Sequence, residues 1–308
     1  MSKQVRPATT VLVALVATVL SFNTLAQATR LTLGYANATE FLPAFVAKDR
    51  GIFAKHGLEV TMTAIPSSSL VPPTLMSGSI DMGIATPPNL VLAAEAGLDL
   101  VATSGSARIM KTNTRVSLVA RAGTVIEKPG DLVGKKVAVP GINSSIDLVL
   151  RKWLLDAKVP LAKVTFIETT LPQMPDLLKG GTVDAVAAIE PILSRIVLGG
   201  IGVKPIDYFS EVNSDIVGAF WMSTRAWATG HPAAIQSFRA AYAESIAWIT
   251  ANPDEAKKVE AKWLGFNGRA FPNFSLELRQ SDLDTYVAIG RELSVVHQAV
   301  DTSRLIWK

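Results

Sequence analysis

The chain alternates short apolar runs with amphipathic stretches almost from end to end. Leu31-Thr32-Leu33-Gly34-Tyr35 reads as a strand; Phe41, Leu42, Phe45 and Val46 then share one helical face, and Gly57 stops a second short helix. Leu58, Val60 and Met62 alternate with Glu59, Thr61 and Thr63, the period of a half-exposed strand. The same reading predicts a helix over 71–77, a strand over Met82–Ala85, a helix over 88–96 ended by Gly97, and a strand over Leu100–Ser104. Strands and helices alternating in this way predict a mostly parallel sheet covered by helices.

A second series starts from Val116-Ser117-Leu118-Val119-Ala120. Gly130–Gly134 is a turn, and strands follow at Lys136–Val139, Val164–Ile167 and Ala185–Ala188. After a strand at Ile216–Met222, the residues Phe238, Ala241, Tyr242, Ile246 and Ile249 share a helical face, and the chain stays helical almost to its end. The expectation is an α/β protein of two βα lobes with mostly parallel sheets, lobe I from 29–118 plus 222–308 and lobe II from 119–221. Extended segments near 117–122 and 217–223 would form a two-stranded hinge, with a ligand in the interlobe cleft.

The N-terminus departs from this pattern. Lys3 and Arg6, the apolar run Val11 to Leu20 and Ala26-Gln27-Ala28 read as a secretory signal cut near Ala28, with the mature chain starting near Thr29. The run is short for a membrane span. Losing Lys3 and Arg6 lowers the net charge from +4 to +2, which gives no reason to expect a nucleic-acid partner. With no cysteine in the chain, disulfides, thiolate metal sites and a lipid-bearing cysteine are excluded, so a soluble periplasmic protein is expected.

Open α/β sheets bind ligands at the carboxyl ends of their strands. Small polar residues fall there: Asn37 and Thr39 after the first strand, Thr86 and Asn89 after the third, Gly105 and Ser106 after the fourth. Pro140-Gly141-Ile142-Asn143-Ser144-Ser145 leads from a strand into a helix, with Asp147 three residues beyond Ser144, and could cradle a polar ligand group through backbone N–H groups. Glu190 follows another strand and precedes Pro191, where it could read a ligand amine or hydroxyl or merely complement a helix dipole. Phe41 and Trp221 are candidate aromatic walls, with core packing as the plainer account of each. Arg108 could face an anion or sit in a solvated loop.

Enzyme signatures are weak. Gly130-Asp131-Leu132-Val133-Gly134-Lys135-Lys136 falls one residue short of a phosphate loop and precedes its strand, and His56, His231 and His297 lack metal-ligand spacing. Neither a cofactor nor a metal is expected. A periplasmic enzyme using Glu190 as general base is the competing class, and a ligand-sensing adaptor for a membrane receptor is a third.

Several segments in order resemble the periplasmic binding proteins of nitrate, sulfonate and taurine type ABC importers, which have the type II binding-protein fold. They are Lys48-Asp49-Arg50-Gly51-Ile52-Phe53 with His56-Gly57-Leu58-Glu59-Val60, Gly78 to Gly83, Asp131 to Pro140, and Gly180 to Ala185 before Glu190-Pro191. The resemblance implies two lobes closing on a small, anionic organic solute, and delivery to an inner-membrane permease and its ATPase by a monomeric carrier. It places Asn37, Thr39, Thr86, Asn89, Gly105, Ser144, Ser145 and Glu190 at the cleft. Relatives of this group also resemble binders of aromatic acids, pyrimidine precursors or riboflavin.

Overall fold

The computed structural model describes Met1 and residues 28–111, 115–212 and 215–308. The basic and apolar parts of the expected signal lie outside the described residues. The first strand begins at Thr29.

The chain opens with β1 (Thr29–Tyr35), α1 (Leu42–Asp49), α2 (Ile52–Lys55), β2 (Leu58–Ala64), α3 (Val71–Met76), β3 (Met82–Ala85), α4 (Pro87–Glu95) and β4 (Leu100–Ile109). A second unit holds β5 (Val116–Arg121), β6 (Lys136–Val139), α5 (Ser145–Asp156), β7 (Thr165–Glu168), α6 (Met174–Lys179), β8 (Ala185–Ile189), α7 (Ile192–Leu198), β9 (Gly202–Ile206) and α8 (Tyr208–Val212). The chain then returns through β10 (Ile216–Thr224), α9 (Arg225–Gly230), α10 (Pro232–Ala251), α11 (Pro253–Leu264), β11 (Asn273–Phe274) and α12 (Gln280–Glu292).

Two sheets result, ordered β11-β4-β10-β3-β1-β2 and β7-β6-β8-β5-β9. Parallel pairs join β1 to β2 and β3, and β6 to β7 and β8. Apart from the short β11, which runs against β4, the reversed strands are the ones by which the chain enters each sheet: β5 runs against β8 and β9, and β10 against β3 and β4. This is the expected α/β class with two mostly parallel sheets. Strands covered on both faces need unbroken apolar runs, and β3 and β8 are buried along their whole length.

The expected hinge positions need correcting. Residues 117–122 are largely β5, paired wholly within the second sheet, and 217–223 belong to β10, paired wholly within the first. The chain instead leaves the first sheet after Ile109 and enters the second at Val116, then leaves the second after Ile206 and re-enters the first at Ile216, so Trp221 and the whole of β10 sit with the first sheet. An extended apolar run looks the same whether it crosses between sheets or completes one; only its hydrogen-bond partners differ. Of the C-terminal helices, α10 packs on α1 and α2, α11 on α1, and α12 on both α4 and α5, while 265–279 is not helical and contributes β11. No helix among the described residues is long and apolar enough to cross a membrane.

β4 also runs past the expected Ser104, to Ile109. Gly105 and Ser106 are therefore strand residues rather than loop residues. Gly105 N–H donates to Leu276 O, and a Cβ on Gly105 would lie 2.5 Å from Ser275 O and 2.6 Å from Glu277 O. Neither carbonyl belongs to a flexible side chain that could swing away. Gly105→Ala is expected to destabilise the protein by about 1–3 kcal/mol, the usual range for overpacking, measured as a lower denaturant midpoint; an unchanged midpoint would show that 275–277 can move aside.

Candidate functional site

The carboxyl edges of the two sheets face each other across a cavity of about 280 Å³. The first sheet lines it with Ala36, Asn37 and Phe41 beyond β1, Ile65 to Ser68 beyond β2, Thr86 beyond β3, and Ile109 at the end of β4; the second supplies Pro140, Ser144 and Ser145 beyond β6, Leu171 beyond β7, and Ile189 at the end of β8. The walls are mainly apolar, with Glu40, Arg108 and Arg115 the charged residues on them.

Hydrogen bonds cross between the two sheets' loops around this cavity. Ser67 Oγ and Ser69 Oγ donate to Glu168 Oε1 at 2.6 and 2.8 Å, and Ser67 Oγ also reaches Pro140 O at 3.2 Å. Ser145 N–H donates to Thr86 Oγ1 at 3.1 Å, and Thr39 N–H to Glu190 O at 3.2 Å. A Cβ on Gly141 would come within 2.9 Å of Ser68 Oγ, so the two loops approach closely at this rim. The lobes are in a closed arrangement. Partial burial works against ionisation of Glu168, yet hydrogen bonds from Ser67, Ile142 N–H and Ser69 outweigh it and hold the carboxyl below its ordinary range.

Of the sequence candidates, Asn37, Phe41, Thr86, Ser144 and Ser145 line the cavity. The others stand behind it. Asn89 Oδ1 accepts from Thr86 N–H and Oγ1–H, which fixes the Thr86 hydroxyl so that its lone pair meets Ser145 N–H. Asn143 takes a left-handed φ of 60° and donates its N–H to Asp147 Oδ2, while Ser144 caps α5 by accepting from Asp147 N–H. Trp221 is fully buried against Phe41, Phe238 and Tyr242 and belongs to the core.

Thr39, Ser106 and Glu190 also stand off the cavity wall. Thr39 Oγ1 donates to Glu260 Oε1 at 2.5 Å. Ser106 Oγ and Tyr242 Oη both donate to Glu40 O, at 2.7 and 3.1 Å. Glu190 accepts from Ser194 N–H and Oγ–H at 3.1 and 2.8 Å; burial pushes its carboxyl up against the opposing pull of those bonds and of Arg115. Burial likewise raises Glu260.

Sequence reasoning missed Glu40, Arg115, Ser67 and Glu168. Arg115 Nη2 meets Glu40 Oε1 at 2.5 Å, and Arg115 Nη1 donates to Ala270 O at 3.1 Å. Arg108, weighed as an anion contact or a loop residue, is a buried β4 side chain; Asp282 takes it bidentately at 2.9 Å and Asp215 accepts from its Nε at 2.7 Å. For Ser67 the only signal was the serine run before Pro72-Pro73, which lies at a strand's carboxyl end like the residues that were chosen.

Residues 38–256 match the family described as NMT1/THI5 like. A putative binding protein of Brucella abortus (strain 2308) is 26% identical over 225 residues, 71% of this chain and 66% of the relative, so the match spans a little under two thirds of that relative's length. The taurine-binding periplasmic protein of Escherichia coli (strain K12) is 23% identical over 233 residues, 74% of this chain and 69% of its own. The structure of the alkanesulfonate-binding protein from Xanthomonas axonopodis pv. citri bound to MOPS superposes with a TM-score of 0.77 at 19% identity, covering 92% of this chain and 99% of that one. At that identity the likeness shows the fold, that of a periplasmic binding protein. Because the family match takes in most of both sheets and every wall of the cavity except Ala36 and Asn37, the chain belongs to the NMT1/THI5-like family.

Proposed function

We infer that this protein is an exported, non-catalytic solute-binding component of an ABC importer, which captures a small organic solute between its lobes and delivers it to a membrane permease. The observation that carries the reading is the cavity at the facing carboxyl edges of two sheets, ringed by hydrogen bonds that join one lobe to the other. The names of the taurine-binding and alkanesulfonate-binding relatives support the solute class and the periplasmic location. Asn37, Phe41, Thr86, Ser144 and Ser145 are the proposed contacts from the sequence candidates, with Ser67, Glu40 and Arg115 added. The position of Glu190, held by Ser194 and absent from the cavity wall, favours capture over general-base catalysis.

Capture works by population shift. A ligand that touches both lobes binds the closed form better than the open one, and moving a one-in-a-hundred closed state to dominance takes about ten-thousandfold preferential binding. The Ser67, Ser69 and Glu168 contacts exist only when the lobes meet, so they add to that preference. Ser69→Ala should leave folding intact and weaken ligand binding by up to about tenfold, the discounted worth of a partly solvated hydrogen bond to a charge. Isothermal titration with the transported solute checks it, and an unchanged affinity would remove the latch from the mechanism.

The same latch predicts a pH dependence. Closure lowers the Glu168 pKa from its ordinary 4.5, so its contribution is full above that value and disappears as pH falls through the closed-state pKa. Affinity should drop on acidification below about pH 4.5, and Glu168→Gln should flatten that limb of the curve. A limb of unchanged steepness in the variant would assign the titration to another group.

A further inference from the structure

The cavity carries a polar atom that the closed protein leaves without a partner. Glu40 is only 6% exposed and lines the cavity; its Oε1 is taken by Arg115, while its Oε2 is buried with no hydrogen-bond partner among the described residues. A buried carboxylate oxygen left unpaired is costly, and a carboxylate oxygen can only accept. Glu40 is also held in place from behind, since Ser106 and Tyr242 both donate to its backbone carbonyl. On the opposite wall Ser145 Oγ is buried without a hydrogen-bond partner of ordinary geometry.

The charges around the cavity point the same way. Arg108 is held by Asp282 and by Asp215, which it shares with Arg279, and Arg115 is held by Glu40, so both guanidinium groups on the cavity wall are already paired with carboxylates. Neither guanidinium offers the unbalanced cation that a bare anion would need to offset its desolvation. Size matters as well: at about 30 Å³ per water the cavity has room for on the order of nine water-sized units, between walls that include Ile65, Ile84, Ile109, Ile146 and Leu171. An inorganic oxyanion would leave most of that apolar surface uncovered.

Resting on the capture reading, we propose that the solute is a small organic amine, whose N–H donates to Glu40 Oε2 and whose apolar body fills the space between the two sheets. Any acidic group it carries is secondary to that contact. Glu40 then acts as the specificity residue and Arg115 positions it, so an amine is preferred over an amine-free molecule of the same bulk.

The test compares, on the full exported protein, 4-(aminomethyl)benzenesulfonate with 4-methylbenzenesulfonate and taurine with ethanesulfonate. Calorimetry measures affinity and small-angle scattering measures closure. The amines should bind at least tenfold more tightly than their amine-free counterparts, and Glu40→Gln should erase the difference. Because Glu40 also holds Arg115, circular dichroism must first show that the variant folds; the comparison on the unsubstituted protein decides the question without it. Amine-free sulfonates that bind as tightly and close the lobes would overturn the amine proposal and leave capture standing. Failure of all four compounds to bind or to close the lobes would overturn both.

Discussion

The buried guanidinium of Arg115 is the interaction on which the arrangement of the two lobes depends. It sits where the chain passes from the first sheet into the second, and it pairs with Glu40 on the first-sheet side while reaching Ala270 in the C-terminal segment. Its charge also acts on Glu190 and Glu260, two further buried carboxyls that burial drives toward the protonated form. Removing a cation from water costs several kcal/mol unless it is well paired. Here one cation is shared among acidic groups drawn from both lobes and the tail, so the crossing, the cavity wall and the 266–272 segment are tied to a single electrostatic centre. Gly268 shows how closely they pack: a Cβ there would come within 3.2 Å of Glu190 Oε2.

That centre explains why several residues chosen from the sequence stand one layer behind the cavity. Thr39, Ser106 and Glu190 are small or polar groups at sheet edges, which is the composition of a ligand loop and equally of the framework that holds one. Their bonds go to Glu260, to the Glu40 carbonyl and to Ser194. Asn89 belongs with them, since it orients Thr86 and leaves Thr86 to face the other lobe.

The strands were legible because fully covered strands require unbroken apolar runs and half-covered ones require alternation, and both patterns are local. Cavity residues such as Glu40 and Arg115 were not. Glu40 next to Phe41 reads as the polar side of a helix start, and its burial follows from partners 66 to 202 positions away in the chain. The hinge was misplaced for the same reason, since β5 and β10 differ from crossing segments only in their ladder partners. Residues 140–145 were readable because the turn, the cap and the helix that follow are all encoded within a few positions of one another.

Beyond the Arg115 centre, the loops around the cavity meet through two kinds of contact of unequal strength. Those at the rim, between Ser67 or Ser69 and Glu168, lie near solvent and are screened; those from Ser145 N–H to Thr86 Oγ1 and from Thr39 N–H to Glu190 O are single neutral hydrogen bonds, each worth about 0.5–1.5 kcal/mol net. A few such bonds bias closure without securing it, because opening returns every one of these groups to water. The unpaired Glu40 Oε2 works in the opposite direction, since it loses water on closure and gains nothing from the protein in return. A carrier built this way closes firmly only around a molecule that satisfies the carboxylate and covers the apolar walls, so the same buried atom that selects the solute keeps the empty protein from locking shut.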